Sequence, residues 1–355
     1  MPESLHKKDA AFVPPFPGSI VKYISPEFAF SKVHGEIHPF IAWRDGKAVG
    51  RIAAIINRSH NAYYKDNIAF FGFFECENNV ETSKALFEKV DSFLREKGFS
   101  AVRGPYNPSS NDECGLLVQG VQYPPYIGLT WNPLYYEHLV ESAGFSCVRS
   151  KYGFQLPLSR LDPPARLARL RERIAKRSKM KLRPINLKKI KEELKLVHIV
   201  YNDTLERNWG FVPISLDDLY GAAEDMKAIA DPEMILIADR DGEPAGVALT
   251  LPNFNELLAK LKNTPHWLRL LHTVWLMKTY RIRSARQVVY GIVPEHRDRG
   301  LHAWLLYEQF VKAKARYDDA ELGWIEESNT EILENSRMIG GILHRTWKIY
   351  EKPLS

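Results

Sequence analysis

Cysteine is scarce in this chain: there are three in 355 residues, Cys76, Cys114 and Cys147, with no C-x-x-C spacing. An odd, dispersed set excludes a disulfide-built fold and a cysteine zinc site, and it fits free, buried thiols in a reducing compartment. Long apolar runs are absent as well. No stretch approaches the roughly 18–20 residues that a membrane helix needs. Residues 1–19 have prolines and charges where a secretory leader would have its apolar core. The expectation is a cytoplasmic protein without a transmembrane segment. The chain also lacks a P-loop, G-x-G-x-x-G, H-E-x-x-H, G-x-S-x-G and any metal-ligand cluster, so no metal site is expected.

What is present is an ordinary globular composition, 45% apolar and 26% charged. At this length two or three domains are expected. The net charge of +6 is mildly basic. Much of the excess lies in residues 166–195, which hold thirteen Lys/Arg against three Glu.

The chain resembles itself at an offset of 196. Arg44-Asp45-Gly46-Lys47-Ala48-Val49-Gly50 aligns with Arg240-Asp241-Gly242-Glu243-Pro244-Ala245-Gly246, and Asn57 with Asn253. Both segments read R-D-G-x-x-x-G between apolar runs, and Asp-Gly in that setting signals a β-hairpin. The same order then follows twice. In the first half it is strand 68–75, helix 80–97, strand 100–103, helix 133–143 and strand 152–156. In the second it is strand 287–293, helix 301–317, strand 321–325, helix 330–339 and strand 345–350. We therefore read an α/β (α+β) chain of two tandem domains, each a mixed central sheet flanked by helices. Residues 1–160 form the first domain and 161–355 the second, with a helical insertion at about 255–286.

In the second copy a strand ends at Val293-Pro294, and Arg297-Asp298-Arg299-Gly300 leads into an amphipathic helix that begins at Leu301 and His302. The first amides of a helix lack internal acceptors, and its dipole is positive there. Two arginines and a glycine beside such an end make a diphosphate cradle. A solvated loop with a capping glycine has the same four residues, so the strand–loop–helix context carries the phosphate reading.

This order, with R-x-x-G opening the helix after the hairpin and strand, resembles the GNAT (N-acetyltransferase) superfamily. The two-copy arrangement resembles bacterial tandem GNAT-like proteins. Asn208-Trp209-Gly210-Phe211-Val212-Pro213, Trp131-Asn132-Pro133-Leu134-Tyr135-Tyr136 and Trp324-Ile325-Glu326-Glu327-Ser328-Asn329 carry the closer likeness. The resemblance implies acetyl-CoA or another acyl-CoA as cofactor. It would be held by Val289, Gly291, Ile292 and Val293 of the strand and by Arg297, Asp298, Arg299, Gly300, Leu301 and His302 of the loop and helix start.

Two positions depart from the family pattern. His302 stands where R-x-x-G-x-G/A has a small residue. Ser336 and Val140 stand where the family often has an acid tyrosine, four residues before the glycine that ends the last helix. Candidate catalytic groups are Tyr290 on the strand, with Glu327 and Asn329 past the next strand. A surface role or a helix cap accounts for the last two equally well. The first copy has Glu75-Cys76-Glu77-Asn78-Asn79 in place of the loop, and its carboxylates repel phosphate.

The stretch 166–175 reads as a helix with Leu167, Leu170 and Ile174 on one side and cations on the other. That face is either solvated or attracts an anionic partner; nucleic acid is possible but not favoured, since no reader motif accompanies it. The insertion reads as a helical hairpin serving as an acyl-chain lid, a membrane patch or a homodimer contact. The functional expectation is an acyl-CoA-dependent N-acyltransferase, acetylating a small-molecule or peptide amine. The alternatives are a non-catalytic acyl-CoA or anion binder and an aminoacyl-tRNA-dependent transferase.

Overall fold

The computed structural model describes residues 2–354 except Pro17, Ile24, Pro26, Ser178 and Lys179, and leaves aside the side chains of Ile20, Arg177, Asp298 and Arg299. In chain order the main elements are β1 (Gly35–Arg44), β2 (Lys47–Asn57), β3 (Ile68–Cys76), α1 (Val80–Glu96), β4 (Ala101–Gly104), β5 (Leu116–Gln119), α2 (Tyr135–Ser142) and β6 (Ser146–Leu156). There follow α3 (Ala165–Arg177), β7 (Lys181–Pro184), α4 (Ile190–Leu205), α5 (Leu216–Met226), β8 (Ile235–Arg240), β9 (Glu243–Pro252) and α6 (Arg269–Thr279). The chain closes with β10 (Ser284–Ile292), α7 (Leu301–Lys314), β11 (Asp319–Glu326), α8 (Thr330–Met338) and β12 (Ile342–Pro353).

Two compact units result. The first comprises Met1–Tyr152, Asn255–Tyr280 and His344–Ser355, the second Gly153–Phe254 and Arg281–Leu343. In the first, β1, β2 and β3 pair antiparallel, β3 and β4 parallel, and β4 pairs antiparallel with β12, which also takes β5. In the second, β7, β8, β9 and β10 pair antiparallel, and β10 pairs parallel with β11. The run antiparallel, antiparallel, parallel is common to both, along β1, β2, β3 and β4 in the first and β8, β9, β10 and β11 in the second.

The R-D-G-x-x-x-G repeat encodes one hairpin twice. Asp45 and Gly46 both have positive φ, as do Asp241 and Gly242, which is what a two-residue turn of the primed type demands. The match extends past the turn. The β1–β2 register shifts between Ala42 and Trp43, and the β8–β9 register between Ala238 and Asp239. These bulges lie at the same offset as the motif itself. The last glycine of each motif faces crowded ground. A Cβ on Gly50 would lie 2.8 Å from Leu86 Cδ1, and one on Gly246 3.0 Å from the Gly291 carbonyl.

Helix faces follow the apolar spacing. Asn79 caps α1 by accepting from Thr82 N–H, and α1 buries Leu86, Phe87, Val90 and Leu94 against Phe71, Phe74 and Tyr136. In the second unit α4 buries Val197 and Val200 against Ile235, Ile237, Val247 and Val293. The opposite sheet face packs Leu236, Ala238 and Ala248 against Leu301, Trp304 and Leu305 of α7. Each large aliphatic side chain so buried contributes about 1.5–3 kcal/mol.

Three local expectations are corrected. The helix expected over 133–143 starts at Tyr135, because the Asn132 amide is committed to Leu117, accepting from its N–H at 2.8 Å and donating to its carbonyl at 3.0 Å. The insertion, expected as a helical hairpin, has its two helices joined through further short turns. It is a short helix, Asn255–Lys260, two turns of 3-10 helix, and α6. Of the cysteines, Cys76 and Cys114 are buried but Cys147 is exposed.

Candidate active site

In the second unit β10 and β11 share a ladder only from Ser284↔Asp319 to Gln287↔Leu322. Both strands continue beyond it, to Ile292 and Glu326, but among the described residues their register stops there. A cleft with about 570 Å³ of empty space, its open mouth included, occupies the fork. Gln287, Val288, Val289 and Tyr290 line one side and Leu322 to Glu326 the other. Leu205 and Asn208, from the end of α4, and Asn329, Ile332 and Ser336, from the start and core of α8, complete it.

A bulge sits at the same spot. Leu249 of β9 faces Val289, and the next residue, Thr250, faces Gln287, so Val288 is the extra residue. A bulge leaves its residue outside the ladder and re-aims the strand. Val288 is thereby left without a Cα partner on β9 at the point where it lines the cleft. Preorganised main-chain donors stabilise charge developing on a carbonyl oxygen.

Side-chain directions around the cleft follow from pairing. Val289 and Gly291 lie opposite Leu249 and Val247, on the α4 face. A Cβ at Gly291 would come within 2.5 Å of Thr204 Oγ1. Ile292 and Val293 are core residues of the two faces. Of the strand residues expected to hold a cofactor, these four can offer only main chain. Tyr290 points to α7 and donates its hydroxyl to the His302 carbonyl at 2.7 Å. Burial, reinforced by the Glu331 charge, pushes the phenol far above its ordinary range, so it stays protonated.

Past β10 the chain makes a 3-10 turn, Pro294–Arg299, into α7. Arg297 turns back and donates Nε to the Ile292 carbonyl at 3.2 Å. The side chains of Asp298 and Arg299 lie outside the described residues. Gly300 has φ 75°, ending the turn and opening α7. A Cβ there would meet Ile174 Cδ1 of α3 at 2.7 Å, so hydrocarbon covers that side of the glycine. Its carbonyl accepts from Ala303 and Trp304 N–H. Leu301 and His302 come first in α7, where amides have no intrahelical acceptor.

The remaining candidates separate. Asn329 lines the cleft while its Oδ1 caps α8 at Ile332 N–H, 3.3 Å away. Glu327 lies in the turn after β11 and is not among the lining residues, whereas its neighbour Glu326 is both lining and buried. Ser336 also lines the cleft, its hydroxyl donating to the Ile332 carbonyl at 2.8 Å. Among the described residues no cluster of His, Cys, Asp or Glu is placed to hold a metal.

The first unit has the same fork, filled. β3 and β4 pair only from Ile68↔Ala101 to Phe70↔Arg103. β3 is likewise bulged, between Gly72 and Glu75. Here the Phe73 N–H is consumed by Asn107 Oδ1 at 2.6 Å. The main chain of Tyr106 abuts Gly72 so closely that a Cβ would lie 1.6 Å from its carbonyl oxygen. Glu75, expected to repel phosphate, is engaged by His6 at 2.8 Å and the Tyr136 hydroxyl at 2.9 Å. Glu77 pairs with Arg44.

No family model matches the sequence. The chain is 28% identical to the "Bacterial ceramide synthase" of Caulobacter vibrioides, over 100% of this chain and 93% of that one. It is 27% identical to "Protein YghO" of Escherichia coli, over 99% and 91%. Among solved structures it superposes on a tandem GNAT protein from the clavulanic acid biosynthesis pathway with a TM-score of 0.57, at 11% identity, over 99% of this chain and 94% of that one. A GCN5-related N-acetyltransferase from Sphaerobacter thermophilus superposes with a TM-score of 0.52, at 13% identity, over 99% and 92%. The chain has the GNAT fold.

Of the two residues four before the glycine that ends the last helix of each copy, Ser336 lines the cleft and Val140 is a core residue of α2. Sequence reasoning named the loop and the helix start as cofactor ligands, and the structure places them after β10 at the head of α7. It gave no role to Leu205 and Asn208, although Asn208 opens the Asn-Trp-Gly fragment that breaks the chain after α4. It did not single out Val288, because a bulge is a property of two strands.

Proposed function

We propose that the second unit transfers an acyl group from an acyl-CoA to the amine of a long-chain lipid precursor, forming an amide. The observation that carries this reading is the β10–β11 fork, where Val288, left without a partner on β9 by the bulge, lines an open cleft. The full-length likeness to a ceramide synthase supports the acceptor class, since a ceramide is the amide of a long-chain amino alcohol and a fatty acid.

The loop fits a diphosphate through its main chain. The amides of Leu301 and His302 head α7, where the dipole is positive. Arg297 adds cationic charge to the same turn. The acyl carbonyl takes the fork and is polarised by the main chain at Val288 and Val289. The acceptor nitrogen adds to the carbonyl carbon, the carbon–sulfur bond breaks, and the thiolate leaves with a proton. Glu326, buried in the cleft lining, is the group we assign to accept the ammonium proton. Asn329 orients the acceptor, while Glu327 stands one residue from this base. Tyr290, protonated and bound to His302, fixes β10 to α7. Unit one supplies no second site, because Asn107 and Tyr106 fill its fork.

The test is free-thiol release from acetyl-CoA and palmitoyl-CoA in the presence of a long-chain 2-amino-1,3-diol, with product mass. Amide formation with the long-chain donor, lowered about 10²–10⁴-fold by Glu326→Gln, is expected. Thermal stabilisation by the acyl-CoA without thiol release would leave a binder in place of an enzyme. Neither stabilisation nor release with any donor would refute the reading.

A further inference from the structure

The insertion helix α6 has its polarity reversed. The side turned into the first unit carries Arg269, Thr273 and Leu276, only 5%, 3% and 5% exposed. Arg269 is held in two ways: it forms a two-pronged ion pair with Glu3, one contact at 2.7 Å, and it donates Nε to the Thr264 carbonyl at 3.1 Å. The Thr273 hydroxyl donates to the Arg269 carbonyl. The outer side carries Leu270, Leu271, Val274, Trp275 and Met277, exposed by 62%, 67%, 46%, 58% and 43%, and Trp267 just before it is 80% exposed. A helix on a water-facing surface has the opposite arrangement. The patch is also firmly mounted. Thr264 Oγ1 and His272 Nδ1 bond at 2.8 Å, Tyr280 donates to Glu256 at 3.0 Å, and Asn255 donates to the Pro125 carbonyl at 3.1 Å.

The patch is bordered by positive charge. Residues 255–280 contain Lys260, Lys262 and Lys278 against Glu256, Arg269 being turned inward and paired with Glu3. Lys278 is exposed in the last turn of α6, and Lys260 lies over the Tyr280 ring at the same end, 5.5 Å from its centroid.

We propose that this face of the first unit docks onto an anionic lipid bilayer, with Trp267, Trp275 and the leucines seated among the headgroups and first methylenes. Tryptophan and leucine beside lysine is the composition of an in-plane interfacial helix, whose ammonium groups reach up to the phosphates. A second copy of the chain fits less well. A two-fold contact through the same patch would pair two surfaces bordered by the same sign of charge, whereas an anionic membrane brings the opposite one. Among the described residues no helix is long and apolar enough to cross a membrane, so the attachment is to the surface. The proposal stands on this helix alone and holds whether or not the cleft transfers an acyl group.

The experiment is flotation of the full chain with vesicles of phosphatidylcholine plus phosphatidylglycerol, and with phosphatidylcholine alone. The wild type should float with the anionic vesicles. Leu271→Glu combined with Trp275→Glu should lower the bound fraction about tenfold or more while its melting curve stays unchanged, both side chains being exposed. Brominated lipid should quench wild-type tryptophan fluorescence, a readout that needs no variant. Equal flotation of wild type and variant, or no quenching, would overturn the proposal. So would a lipid-free dimer that the double substitution dissociates and that does not float.

Discussion

Gly300 meets two separate demands, and substituting it with alanine tests both. Its φ of 75° is left-handed, which costs an L-residue about 1–2 kcal/mol. Its missing side chain leaves room for Ile174, whose Cδ1 would sit 2.7 Å from a new Cβ. Because that atom is the far end of a flexible chain, relief is cheap, and we assign about 1 kcal/mol to it. Gly300→Ala should then cost about 2–3 kcal/mol, a fall in Tm of about 4–12 °C at roughly 2–4 °C per kcal/mol. Ile174→Ala alone removes a half-buried stem and should cost about 1–2 kcal/mol. In the double variant the overlap disappears while the φ cost persists, so the combined loss should be about 1 kcal/mol less than the sum. Urea and thermal unfolding of the four proteins measure this cycle. If a diphosphate is held by main-chain amides, stabilisation by an acyl-CoA survives in the double variant. A Gly300→Ala protein as stable as wild type, or losses that simply add, would refute the assignment of the glycine to backbone and packing.

Two further predictions concern other parts of the molecule. Burial, with Glu77 and Glu75 nearby, pushes the Cys76 thiol up to about 12, and Cys114 is also buried. A thiol reagent at neutral pH should therefore modify Cys147 alone in the native protein and all three cysteines in denaturant; rapid native modification of two would contradict the packing. Hydrogen bonding from Arg269, joined by its charge, lowers the Glu3 carboxyl below its usual value. The unfolded chain therefore takes up that proton first as pH falls. The pair's stabilisation is complete above the ordinary glutamate value of about 4.3 and is lost as pH falls through the lower folded one. Glu3→Gln should be less stable than wild type at neutral pH, with the gap closing in acid; a constant gap would contradict it.

What the sequence discloses and what it conceals divide by range. The Asp45-Gly46 and Asp241-Gly242 turns and the bulges that follow them are local demands on φ and close packing, and a seven-residue repeat records them; the glycine opening α7 is as local, and the R-x-x-G motif records it. The fork is different. That β10 and β11 part after Gln287 and Leu322 depends on register between strands more than thirty residues apart. Asn107, which fills the first fork by accepting from Phe73, acts across 34 residues. The place of the insertion in the first unit rests on contacts such as Asn255 to Pro125, 130 residues apart. The apolar run of α6 was visible in sequence, but its outward face was not. That orientation is set by Arg269, which finds Glu3 at the far end of the chain.

The central claim is that the second unit's fork receives an acyl thioester. Its most direct test is a crystal structure with a non-transferable 2-oxoalkyl thioether of CoA, which keeps a carbonyl one carbon from the sulfur. The account predicts the sulfur in the fork, the carbonyl oxygen within hydrogen-bond distance of the main chain at Val288 and Val289, and the diphosphate at the amides of Leu301 and His302. Ligand density elsewhere, or a fork left empty at saturating analogue, would contradict it.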